Sequence, residues 1–186
     1  MDTNKIRVFI FSRQSLLQEG IELMLSHTEG IEISKATEMN DEVLSRMDDL
    51  PPDVAIVDID APDGTGLKTT RQLKQHLPNM GIIAITFAFN DVQLFEILKA
   101  QAAACLSKET SGEQLVEIVR RVSRGEHPIN ESLTTHPILA DQVLIQFQEL
   151  SRQEYTRPLV STLTSPRVLK EVLLHHHQSE WLCPVN

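Results

Sequence analysis

Residues Pro52 to Leu67 read PDVAIVDIDAPDGTGL, and this stretch decides the fold. Val54–Val57 is an unbroken apolar run rich in β-branched side chains, the pattern of a strand buried on both faces of a parallel sheet. Asp58 closes it, and APDGTG, Ala61–Gly66, supplies turn residues before the next helical pattern. In an open parallel sheet, functional side chains collect at the carboxyl ends of the strands. Asp58 is therefore the first candidate site residue.

Four more runs of the same kind flank it: Arg7–Phe11, Ile31–Ala36, Ile82–Thr86 and Ala103–Leu106. Amphipathic segments lie between them. Ser15–Leu25 carries Leu16, Leu17, Ile21 and Met24, and the last carries Leu115, Ile118, Val119 and Val122 ahead of Gly125. The alternation predicts an α/β domain over residues 1–126, with a five-stranded parallel, doubly wound sheet of flavodoxin type. Beyond His127 no strand pattern follows. Residues 127–160 read as a linker with one helix, Pro137 to Glu154, striped by Leu139, Val143, Phe147 and Leu150. Residues 161–186 form an α-helical tail whose helix starts at Pro166.

Composition narrows the classes. At 186 residues the chain is one ordinary domain with an appendage, which excludes a large multidomain enzyme. No apolar run approaches the roughly 20 residues that span a bilayer, so no membrane contact is expected. Met1–Ile10 has no secretory-signal pattern, and with Cys105 and Cys183 as its cysteines the chain is expected in the cytoplasm. The formal charge of −9 argues against a surface built to bind phosphate backbones.

The strand ends gather a chemical set. Ser12 and Arg13 follow the first strand, Thr86 closes the fourth and Lys108 follows the fifth. A carboxylate between a hydroxyl and an ammonium suits phosphoryl acceptance: Asp58 attacks phosphorus, and Thr86 and Lys108 bind the oxygens. Asp60 and Asp63 read as turn residues, or as weak recruiters of a cation. Cys105 reads as a small buried hydrophobe. His175, His176 and His177 cannot converge on one ion from successive helical positions.

On these motifs Lys5–Arg124 resembles the receiver domain of two-component response regulators of the LuxR/FixJ (NarL-like) type. The likeness rests on Asp58 with Pro62 and Gly66 behind it, on IIAIT with Thr86, on AAACLSK with Lys108, and on SLLQEGI, Ser15–Ile21. It implies that Asp58 is the phosphoacceptor position, that Thr86 and Lys108 contact phosphate, and that a histidine kinase is a partner. It also implies an acidic pair holding Mg²⁺ after the first strand, where this chain has Ser12 and Arg13. Neither suits a hard divalent cation, so no cofactor is expected. Arg13 either takes the metal's place and pairs with Asp58, or is a surface arginine pointing away. Cys105 stands where the family usually carries an aromatic switch.

The resemblance also implies a helix-turn-helix domain, but LVSTLTSPRVLKEVLL matches its start loosely, and the twelve residues after Leu174 hold no basic helix. DNA binding by this stretch is not expected. A homodimer through helix 137–154 is expected instead, because that apolar stripe must be covered, with docking on the sheet domain as the other outcome. The reading is an atypical response regulator, not an enzyme, acting by protein contact in transcriptional regulation. The alternative is a phosphorylatable DNA-binding regulator with an incomplete helix-turn-helix. A haloacid-dehalogenase-type phosphatase would share Asp58 and Asp60, but acidic residues after a later strand are missing.

Overall fold

The computed structural model describes residues 5–61, 63–87, 90–131, 141, 143 and 145. Five strands and five helices alternate: β1 (Ile6–Phe11), α1 (Ser15–Ser26), β2 (Ile31–Ala36), α2 (Asp41–Asp49), β3 (Val54–Asp58), α3 (Thr65–His76), β4 (Gly81–Thr86), α4 (Asp91–Lys99), β5 (Ala104–Ser107) and α5 (Gly112–Ser123). All strand pairs are parallel, in the order β2-β1-β3-β4-β5. The expected sheet is thus the observed one, with strand ends moved by a residue. β1 lies between β2 and β3, so the chain reverses direction across the sheet there and leaves a crevice at the carboxyl edge.

Register then builds the site without further help. Phe11 pairs with Val57, which sets Ser12 beside Asp58. Asp58 pairs with Ile85 and Thr86 with Ser107, so Thr86 and Lys108 reach the same edge.

Burial holds that edge rigid. Val8, Ile10, Val54, Ile56, Ile82 and Ile83 are inaccessible to solvent, and Leu115, Val119 and Val122 of α5 close one face. Fully burying each aliphatic side chain stabilises the fold by about 1.5–3 kcal/mol. β2, an edge strand, departs from the two-faced pattern: Glu32, Ser34 and Lys35 are exposed. The stripe expected on α1 is also rotated. Leu16 and Met24 face solvent, while Gln18, Ile21 and Leu25 are buried. On the buried face, Gln18 Nε2 donates to the Ala36 carbonyl at 2.7 Å and ties α1 to the end of β2. A buried amide needs such a partner.

The helices start as their side chains allow. Asn40 and Asn90 accept from the N–H of Val43 and Gln93, and Ser111 with Gln114 forms a capping box on α5. Gly64, at φ 70°, makes the left-handed turn into α3 that a side chain would strain.

The chain divides into compact units at Ile129 and Asn130. Asp141, Val143 and Ile145 are helical. The rest of the helix expected over 137–154, the helix expected from Pro166, the stretch resembling a helix-turn-helix, His175–His177 and Cys183 lie outside the described residues. Among the described residues no helix is long and apolar enough to cross a membrane.

His127 gives the fold a pH signature. Its Nδ1 is buried and has no hydrogen-bond partner among the described residues. Burial, with the Lys74 charge behind it, holds the imidazole below its usual range. The unfolded chain therefore takes up this proton first as pH falls, and stability present above pH 6.5 is lost below it. We expect the urea midpoint to drop between pH 7 and 5.5, and His127→Gln to flatten that drop. Asp60, Asp63 and Glu126, held below their usual ranges, act only at lower pH. Equal slopes in the two proteins would contradict this.

Candidate functional site

Asp58, the last residue of β3, is 6% exposed and both its oxygens are engaged. The Ser12 hydroxyl donates to Oδ2 at 3.0 Å. Oδ1 accepts the Asp60 N–H at 3.2 Å and lies 2.8 Å from the Lys108 ammonium, itself buried. Ser12 stays in place because its Oγ also accepts the Gln14 N–H at 3.0 Å, a local bond that serine forms readily at a turn. Gly66 lets α3 start directly over this carboxylate's backbone. A Cβ there would overlap the Asp58 carbonyl oxygen and stand 2.5 Å from Ile59 Cα.

Thr86 and Lys108 join Asp58 as the sequence suggested, but a second carboxylate mediates the meeting. Thr86 Oγ1 donates to Asp60 Oδ1 at 2.7 Å, and the Phe87 N–H donates to Asp60 Oδ2 at 2.8 Å. The Lys108 ammonium lies 3.1 Å from that same Oδ2. Burial works against the charge on Asp60, yet the bonds from Thr86, Lys108 and Phe87 outweigh it and hold the carboxyl below its usual range. The Phe87 ring, largely exposed, roofs the ammonium at 4.2 Å from its centroid.

Asp60, weighed in the sequence as a turn residue or a weak recruiter of a cation, instead takes Thr86, Phe87 and Lys108, a role that the sequence reading missed. A signal existed: in extended chain, residues i and i+2 point the same way, which puts Asp60 on the side of Asp58. Phe87 and Gln93, whose Nε2 donates to Thr86 Oγ1 at 2.9 Å, carried no such signal.

Arg13 does not pair with Asp58; it is a surface arginine, as the second reading had it, and it has a partner. Its guanidinium donates to Asp63 Oδ2 at 2.9 Å, with both side chains more than half exposed. Asp63 is fixed there by Thr65, whose N–H it accepts, and bonds from Thr65 with the Arg13 charge behind them keep it below its usual range. Such an exposed pair adds about 0–1 kcal/mol. Ser12, not Arg13, meets the carboxylate. A cleft of about 380 Å³ opens beside Asp58, between Arg13, Gln14, Ala61 and Asp63. Cys105 is mostly buried, and burial with the nearby Asp60 charge pushes its thiol up to about 12. It stays a protonated core group near neutral pH.

With the geometry in place, comparison with known proteins assigns the family. The response regulator receiver domain model matches residues 8–120. The chain belongs to that family, the receivers of two-component signalling. It is 28% identical over 128 residues to the response regulator GacA of Pseudomonas viridiflava, covering 69% of this chain and 60% of that one. It is 25% identical over 166 residues to the transcriptional regulatory protein DegU of Brevibacillus brevis, covering 86% of this chain and 70% of that one. The chain thus spans less than two thirds of the GacA relative's length. Among solved structures, a LuxR-family two-component response regulator from Aurantimonas sp. SI85-9A1 superposes with a TM-score of 0.59 at 17% identity, over 66% of this chain and 88% of that one. The receiver domain of the putative regulator NarL from Mycobacterium tuberculosis gives 0.59 at 20% identity, over 66% and 99%. These two show the same fold.

Proposed function

We propose that this chain is an atypical response regulator whose receiver works by protein contact and is not switched by phosphorylation. The observation that carries the reading is the state of Asp58. Its Oδ2 takes the Ser12 hydroxyl and its Oδ1 takes the Asp60 N–H beside the Lys108 ammonium at 2.8 Å, so both oxygens are already committed within the chain, and the hydroxyl at Oδ2 lowers that oxygen's readiness to attack phosphorus. The donor set does not fit Mg²⁺. Ser12 spends its proton on Asp58, Arg13 brings positive charge, and no group of three or more metal-ligating side chains forms among the described residues.

The proposed role is transcriptional regulation, as in the DegU relative, with a second copy of this chain held through helix 137–154 as the first partner. A histidine kinase is a further partner if contact without transfer suffices. Intact-mass measurement tests the central claim. With acetyl phosphate and Mg²⁺ in excess, the full chain should gain no phosphoryl mass on Asp58. Robust labelling, lost in Asp58→Asn, would favour a phosphorylatable DNA-binding regulator instead.

A further inference from the structure

We propose that Asp60 is a built-in oxyanion: its carboxylate occupies the donors that a phosphoryl group on Asp58 would require, and through Thr86 it fixes helix α4. The inference rests on the reading of a receiver that phosphorylation does not switch, and it names the group that holds the single state.

An acyl phosphate on Asp58 would carry anionic oxygens, which charge-assisted donors stabilise. Besides the Ser12 hydroxyl and the Asp60 N–H, which Asp58 itself takes, the donors at this edge include the Lys108 ammonium, the Thr86 hydroxyl and the Phe87 N–H. The last three lie 2.7–3.1 Å from an oxygen of Asp60. Oδ1 takes the hydroxyl and Oδ2 takes the amide, with the Lys108 ammonium held beside Oδ2 as an ion pair at 3.1 Å. An ordinary turn aspartate bonds the N–H two residues on, as Asp63 does with Thr65. Asp60 reaches 26 and 27 residues along the chain instead, across to the end of β4. Lys108 alone neutralises both carboxylates at this edge, so the pocket already holds one net negative charge. A further anion would meet repulsion as well as a filled site.

The contact has an output. Because Thr86 Oγ1 donates to Asp60, its lone pairs face the Gln93 amide, which donates at 2.9 Å from the first turn of α4. Thr86 is fully buried, so its hydroxyl cannot exchange this arrangement for water. The anion at Asp60, the orientation of Thr86 and the position of α4 form one connected chain of bonds.

The test uses the full chain and follows the Phe87 amide by NMR. In Asp60→Ala, hydrogen exchange at that amide should rise about tenfold or more, the effect of losing a bond to a charged acceptor, and the Gln93 side-chain amide should shift. Added inorganic orthophosphate should slow the exchange again in the variant and leave the wild type unchanged. Exchange within twofold of wild type, or equal orthophosphate binding by both proteins, overturns the proposal. Should Asp60→Ala not fold, Asp60→Asn keeps the shape and one acceptor while removing the charge. It should still speed exchange at Phe87, and no change there would also overturn the proposal. Acetyl-phosphate labelling of wild-type Asp58 would defeat the reading of function by a different measurement, so the two failures are separable.

Discussion

Replacing Lys108 with methionine should cost about 3–5 kcal/mol of stability at neutral pH, measured by urea denaturation. The side chain is 5% exposed and its ammonium serves two carboxylates, at 2.8 and 3.1 Å. Methionine fills the space of the lysine stem, so the loss is electrostatic and not a cavity. Asp58 and Asp60 are left close together in a poorly hydrated edge with like charge, and each keeps the other from ionising. Two checks separate this from a packing defect. Lowering the pH should return part of the loss, because the carboxyl groups of the variant protonate more readily folded than unfolded, and stability then rises as pH falls. Adding Asp58→Asn to Lys108→Met should also return part of it, since one charge is gone and the Ser12 contact can persist. A loss under about 1 kcal/mol would place Lys108 with the exposed pairs such as Arg13 and Asp63.

The sheet was legible because its determinants are local. Five apolar runs of strand length, spaced by helical patterns, admit one economical arrangement. Once the strands are parallel and in register, Ser12, Asp58, Thr86 and Lys108 must share an edge. What the sequence did not disclose are the directions of polar side chains. Arg13 follows Ser12 directly and could face either way; the turn at Asp63 gives it an exposed partner at the rim of the cleft instead of Asp58. Gln18 lies within the segment read for its apolar stripe, yet it is buried and donates to the Ala36 carbonyl, a contact that the stripe could not announce. Asp60 looked like turn chemistry because aspartate so often is. Its role follows only when β4 is seen to present a hydroxyl and an amide to it. Each miss concerns a bond made across elements, which spacing along one element cannot encode.

Gly66→Ala should destabilise the fold by about 3 kcal/mol, near the upper end for an overpacked site. The added Cβ would overlap the Asp58 carbonyl oxygen and stand 2.5 Å from Ile59 Cα, and both are backbone atoms that no rotamer change can move aside. Relief requires α3 to lift from the end of β3, which drags Asp58 and Asp60 from Ser12 and Lys108. The variant should therefore also lose the protection of the Phe87 amide. Helix propensity runs the other way, since alanine is favoured over glycine in a helix by about 1 kcal/mol. Gly20→Ala isolates that term: Gly20 sits within α1 and a Cβ there meets nothing within 4 Å. The same substitution should thus raise the urea midpoint at Gly20 and lower it at Gly66. If both variants shifted in the same direction, close approach of α3 to the Asp58 backbone would not be what demands glycine at Gly66.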